Sequence, residues 1–264
     1  MRFDSNHAWK AATAAVAGNR DMLLAITGVF ILLPAFAIMV FVPEPTIPAK
    51  ATPDDLLSAY SAYFTQAWPW MVGMTILHLI GTLAMIALIT DARRPTVGEA
   101  IRIGLRTTLP AGAAMLILFL ILSFVAGLPL NLAALSGSAA MTTVGLAAGL
   151  GILLYGIARS LPVLPVVVAE RLNNPFAVLR RAFALSRGNG GRLLAFYALI
   201  FLVFVLIRQL FLAGLTILLD LIIGGEGAAL VIALAASSID AAMSVYLAAV
   251  LAAIHRQLAE PAPV

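Results

Sequence analysis

Residues 193–222 read LLAFYALIFLVFVLIRQLFLAGLTILLDLI, and only Arg208 and Asp220 in this stretch carry a charge. Apolar and polar residues do not alternate with period two, so the run does not read as a barrel strand. Backbone N–H and C=O groups find no water in hydrocarbon, and a helix satisfies them within the segment. At about 1.5 Å per residue the run is long enough to cross a hydrocarbon core of about 30 Å. Similar runs lie at 22–42, 68–90, 109–129, 142–169 and 228–254. Of the 264 residues, 62% are hydrophobic and 11% charged, against about 25% charged in a soluble domain. A chain this apolar cannot cover itself with polar groups in water, whereas lipid lets apolar side chains face outward. The expectation is an all-α polytopic membrane protein with six transmembrane helices, a single membrane domain over 1–264.

Orientation follows from the basic residues. Arg2, Lys10 and Arg20 precede the first run; Arg93, Arg94, Arg102 and Arg106 fill the second connection; Arg171, Arg180, Arg181, Arg187 and Arg192 fill the fourth; Arg256 follows the last run. The opposite connections hold only Lys50. The positive-inside rule therefore places both termini in the cytoplasm. Trp68, Trp70 and Tyr63 mark the outer interface. The first run reads as a retained signal anchor rather than a cleaved signal, because it is too long for an h-region and only Ala49-Lys50-Ala51 resembles a cleavage site.

The basic segments share a layout: a short amphipathic helix followed by a transmembrane hairpin. Thr96-Val97-Gly98-Glu99 has the form of a capping box, with Ile101 and Leu105 on one face and Arg102 and Arg106 on another. Asn174 can cap a helix that Pro175 begins and Gly188 ends, with an apolar stripe of Phe176, Leu179 and Phe183. The segment from Asn6 to Arg20 is a weaker copy whose larger apolar members are Trp9 and Val16. The spacing predicts three repeats, approximately 5–90, 91–170 and 171–258. Thr52-Pro53-Asp54-Asp55 opens a further short helix, expected to lie on the outer membrane surface. Arg102, Arg106, Arg180, Arg181 and Arg187 are candidate contacts to anionic lipid headgroups.

The stretch Leu164-Pro165-Val166-Val167-Val168-Ala169-Glu170, then Asn174-Pro175-Phe176-Ala177-Val178-Leu179-Arg180-Arg181-Ala182-Phe183-Ala184-Leu185-Ser186-Arg187-Gly188-Asn189, resembles the signature of a bacterial membrane-domain family associated with some glycerophosphodiester phosphodiesterases. Pro95-Thr96-Val97-Gly98-Glu99-Ala100 resembles the corresponding motif of a second repeat. The resemblance implies a stand-alone membrane domain. The soluble phosphodiesterase barrel has no counterpart, so that activity transfers to no residue; Glu170 and Asn174 match the pattern as helix-end residues.

Few residues could carry chemistry. Cysteine is absent, which excludes disulfides, thiolate metal sites and cysteine nucleophiles. His7, His78 and His255 lie in separate segments without the i, i+4 spacing of paired ligands, so no metal or cofactor is expected. Gly188-Asn189-Gly190-Gly191 lacks the strand and the lysine of a phosphate loop and reads as a turn. Gly145 and Gly149 form a GxxxG, a sign of close helix packing. Ionisable groups within apolar runs are the exception: His78, Arg159, Arg208 and Asp240 form a candidate intramembrane polar cluster. Counting from the helix ends puts Arg208 and Asp240 at similar depth and makes them the best pair, with His78 and Arg159 nearer the cytoplasm. Asp220 and Glu226 fall at the outer edge.

The functional reading is a non-enzymatic integral membrane protein with a scaffolding, assembly or lipid-handling role, an accessory subunit of a larger membrane complex being one form of it. The alternative is a small transporter or channel using the intramembrane polar groups. A lipid-modifying enzyme would need an acid, base or metal constellation near the headgroups. The expected partners are anionic lipids and other membrane proteins, not nucleic acid, since the basic residues sit between membrane runs.

Overall fold

Two capping boxes launch the two longest helices. In the computed structural model, which describes residues 3–42 and 52–259, the Thr52 hydroxyl accepts from the Asp55 N–H at 3.2 Å and the Asp55 carboxylate accepts from the Thr52 N–H at 2.9 Å. Thr96 and Glu99 exchange the same pair of bonds. The chain is all-α, and among the described residues six helical segments are long and apolar enough to cross a membrane. It is a multi-pass membrane protein. Lys50 and the cleavage-like Ala49-Lys50-Ala51 lie outside the described residues, as does the side chain of Glu226.

In chain order the helices are α1 (Ser5–Gly18), α2 (Arg20–Thr27), α3 (Leu33–Phe41), α4 (Pro53–Thr90), α5 (Val97–Ala134), α6 (Ala139–Ser160), α7 (Val163–Ala169), α8 (Pro175–Leu185), α9 (Gly190–Ile222) and α10 (Gly225–Ala259). A π-helical turn, Gly28–Leu32, joins α2 to α3. Pro34 lies just beyond it and offers no N–H, and the Leu33 N–H reaches back to the Gly28 carbonyl instead. Leu161 and Pro162 break the fourth span, and the buried α7 follows.

Two expectations need correction. The segment from Thr52 does not form a separate surface helix: α4 runs unbroken from Pro53 into the second span, with Pro69 inside it. The segment from Thr96 is likewise the first part of α5. Each helix has 38 residues, or about 57 Å. A strong start with no stop signal before the apolar run gives one rod. By contrast α1 and α8 are separate. Asp4 caps α1 by accepting from the His7 N–H, and the Asn174 side chain accepts from the Phe176 and Ala177 N–H groups to start α8. The buried face of α8 is Val178, Leu179 and Ala182, while Phe176 points outward.

One end of the bundle gathers the turns after α4, α7 and α8 and both described termini. The Phe3 N–H donates to the Asn189 side chain at 3.0 Å, and the Asp4 N–H to the Gln257 side chain at 3.4 Å, so α1 lies against α10. Asp91, Glu170 and Arg171 belong to the same end, since Arg171 reaches Asp91 and His255 reaches Glu170. The arginine-rich connections lie here, and we call it the basic end. The core sits nearby: Leu83 to Leu88 of α4, Val163 and Pro165 to Val168 of α7, and Ala248 to Ile254 of α10 are almost wholly buried. Gly145 and Gly149 bring α6 against α5, where an added Cβ would come within 2.6 Å of the Pro129 and Ala126 carbonyls respectively.

Candidate functional site

The hairpin of α9 and α10 turns at Gly224 and Gly225, both at positive φ, and brings Arg208 opposite Asp240. Arg208 Nε donates to Asp240 Oδ1 at 2.6 Å and Nη2 to Oδ2 at 3.1 Å, a two-pronged pair, while Nη1 donates to the Gln209 side chain. Both side chains are about three-quarters sheltered, at 24% and 28% exposed. In lipid this mutual neutralisation decides whether either charge is tolerable.

His78 lies near this pair, within electrostatic reach of Asp240, and faces a cavity of about 540 Å³ between α4, α5, α7, α9 and α10. Tyr197 and Thr82 also face it, and neither was singled out by the sequence reading. Their significance depends on a meeting of α4 with α9 that no local pattern encodes.

Arg159 does not belong to the polar cluster expected from the sequence. It stands one residue before the end of α6, its Nη2 donates to the Phe183 carbonyl, and its guanidinium lies over the rings of Tyr155 and Phe183 at 5.7 and 5.5 Å. The Ser186 hydroxyl also bonds its carbonyl. Arg159 therefore ties the end of α6 to α8, at the point where Leu161 and Pro162 break the fourth span.

At the basic end two acidic residues follow helices and organise the arginines. Glu170 accepts from Arg181 Nε at 2.7 and 3.0 Å and lies 3.1 Å from His255 Nε2, joining α7, α8 and α10. Partial burial opposes the charge of Glu170, but the bonds from Arg181 and His255 outweigh it and hold its carboxyl below the ordinary value. Asp91 accepts from Arg93 through both oxygens, with Arg171 at 3.9 Å. The Arg93 side-chain and backbone bonds lower its pKa to about 2. The residues completing these turns, Arg94 and Arg171, adopt left-handed φ values of 53° and 54°.

The candidate lipid contacts divide. Arg181 is committed to Glu170, whereas Arg102, Arg106, Arg180 and Arg187 are exposed and make no side-chain hydrogen bond or ion pair among the described residues. Arg106 also lines a cavity of about 450 Å³ with Arg93, Arg171 and Asp91, and with Arg102 a neighbouring one of about 240 Å³. Among the described residues no three histidines, aspartates or glutamates gather as a metal site would require. Fold and polar groups together define a multi-pass α-helical membrane protein with a neutralised pair in its bundle and an arginine surface at one end. No family model, curated protein or solved structure matches the chain.

Proposed function

We propose that this protein is a non-enzymatic membrane protein with a lipid-handling or assembly role, its basic end turned to the cytoplasm of a bacterial inner membrane and toward anionic headgroups. One observation carries the reading: Arg102, Arg106, Arg180 and Arg187 present unpaired charge at a single end, while neighbouring arginines are held by Asp91 and Glu170. Each such arginine near an anionic surface contributes about 1 kcal/mol of attraction. The resemblance of residues 164–189 to a stand-alone membrane domain agrees with this, as does the engagement of Glu170 in fastening helices together.

The test has two arms. An externally active reporter fused after Ser136 or Gly225 should be active and one fused after Arg94 or Gly190 silent; activity at Gly190 would overturn the orientation. In nanodiscs of mixed phosphatidylglycerol and phosphatidylcholine, replacing Arg102, Arg106, Arg180 and Arg187 by glutamine should lower the phosphatidylglycerol retained by the purified protein. Unchanged retention would remove the headgroup role. A transporter or channel is the second reading, favoured by the Arg208–Asp240 pair and His78 inside the bundle.

A further inference from the structure

The 540 Å³ cavity beside His78 has a composition that selects its occupant. Its walls are mainly apolar, with Leu79 of α4, Met115 of α5, Leu164 at the start of α7, and Leu247 and Leu251 of α10. Thr75 and Met115 are exposed on membrane-spanning helices, so the cavity opens sideways toward lipid. Into this apolar space face three polar groups with no hydrogen-bond partner among the described residues: the His78 imidazole, the Thr82 hydroxyl and the Tyr197 hydroxyl. His78 and Thr82 stand four residues apart on one face of α4, and Tyr197 approaches from α9. The other two hydroxyls are engaged, Thr75 with the Met71 carbonyl and Ser244 with the Asp240 carbonyl.

Polar groups surrounded by hydrocarbon are stabilised by any ligand oxygen that can bond to them. Each of the three can donate a hydrogen bond, and the hydroxyls can also accept. No lysine or arginine lines the cavity. The charge that reaches His78, that of Asp240, is already compensated by Arg208. An anionic headgroup would find no cation there, and a zwitterionic one no matched pair. The volume falls within the usual range for small-ligand sites, about 300–1,000 Å³.

We propose that this cavity binds a neutral lipid whose head is a hydroxyl or carbonyl oxygen, the oxygen held by His78, Thr82 and Tyr197 and the chain lying along the leucine wall. The site is separate from the arginine surface, and the glutamine variants described above leave it intact, so the two readings can fail independently.

Photolabelling in nanodiscs tests this with two probes, a diazirine-bearing diacylglycerol and a diazirine-bearing phosphatidylcholine. The diacylglycerol probe should label peptides covering residues 74–82 and 244–251 at least about five-fold more than the phosphatidylcholine probe, and unlabelled diacylglycerol should compete it away. His78→Phe with Tyr197→Phe should reduce that labelling about five-fold or more, while His78→Gln, which keeps a hydrogen-bonding group, should retain most of it. Leu164→Trp fills the cavity without touching a polar group and should abolish the signal, so the result does not depend on one variant folding. Competition in the unaltered protein decides the matter even without variants. Equal, uncompeted labelling by both probes would overturn the proposal, showing only acyl chains against the groove. Absence of lipid label from both segments would overturn it too and leave the cavity to water, as a transport route requires.

Discussion

The two halves of the bundle use the same helices, yet only the half toward the basic end is packed as a core. There α4, α7 and α10 share one core through Met85, Val166 and Ala248, all buried. Toward the other end α9 turns much of its surface outward, and Leu210 and Leu221 are 74% and 80% exposed. Side-chain size does not separate the halves, because leucine and phenylalanine occur in both. What differs is which helices are drawn together and by what. Away from the basic end close backbone approach joins α5 to α6 at Gly145 and Gly149. Toward the basic end it joins α5 to α4 and is backed by polar fastening. An added Cβ at Gly104 would sit 2.7 Å from the Ile80 carbonyl, and Glu170 joins three helices at that end. Lipid is as apolar as leucine, so apolarity alone draws no two membrane helices together. Packing and polar links must do so, and away from the basic end α9 and α10 rely on Arg208 and Asp240.

The largest expected effect breaks the comparison where the looser half has its strongest link. Asp240→Asn should strand the Arg208 charge and destabilise the protein by about 3 kcal/mol, whereas Arg208→Met with Asp240→Leu should cost far less. Thermal melts of the single and double variants in one detergent form a double-mutant cycle, and additive losses would show that the pair contributes no coupling.

A second comparison sets the halves directly against each other. Gly104→Ala forces a methyl against backbone that cannot move aside and should destabilise by about 2 kcal/mol. Leu210→Ala changes more atoms, but at a lipid-facing position, and should change stability by less than about 0.5 kcal/mol. Equal losses in denaturant titrations of the two variants would erase the distinction between the halves.

The smallest effect sharpens it through pH. Because the folded protein holds the Glu170 carboxyl below its ordinary 4.5, the stability this group supplies is complete above that value and is lost as pH falls through the folded pKa. Glu170→Gln should remove that loss and lower stability at neutral pH by about 1 kcal/mol, the pair being partly screened. Melting temperatures of both proteins from pH 7 to 3 would check it; parallel curves would release Glu170 from the role.

The spans and the Arg208–Asp240 contact were legible because hydropathy and residue counting along a straight hairpin suffice for both. The fused α4 and α5 were misread as separate pieces, since amphipathic periodicity in 52–64 and 96–106 describes a face and says nothing about whether the helix stops. Arg159 was placed in the wrong company because its partner, the Phe183 carbonyl, is set by how α8 folds back. The joining of Glu170 to His255, and of His78 and Thr82 to Tyr197, links residues far apart in the chain. Only the packed fold brings them together.

The contact of the first helix with the last also constrains biosynthesis. Asp4 and Gln257 are 253 positions apart, so at about 5–20 residues per second the start of α1 is polymerised about 13–50 s before its partner residue exists. Throughout that interval α1 has no α10 to cover Ala8 and Ala12, which end fully buried. Its amphipathic surface must wait on the membrane, or on the insertion machinery, until the final helix is threaded. Closure of the bundle over α1 thus waits for α10, and a nascent chain stalled before α10 carries an unclosed α1 as its mark.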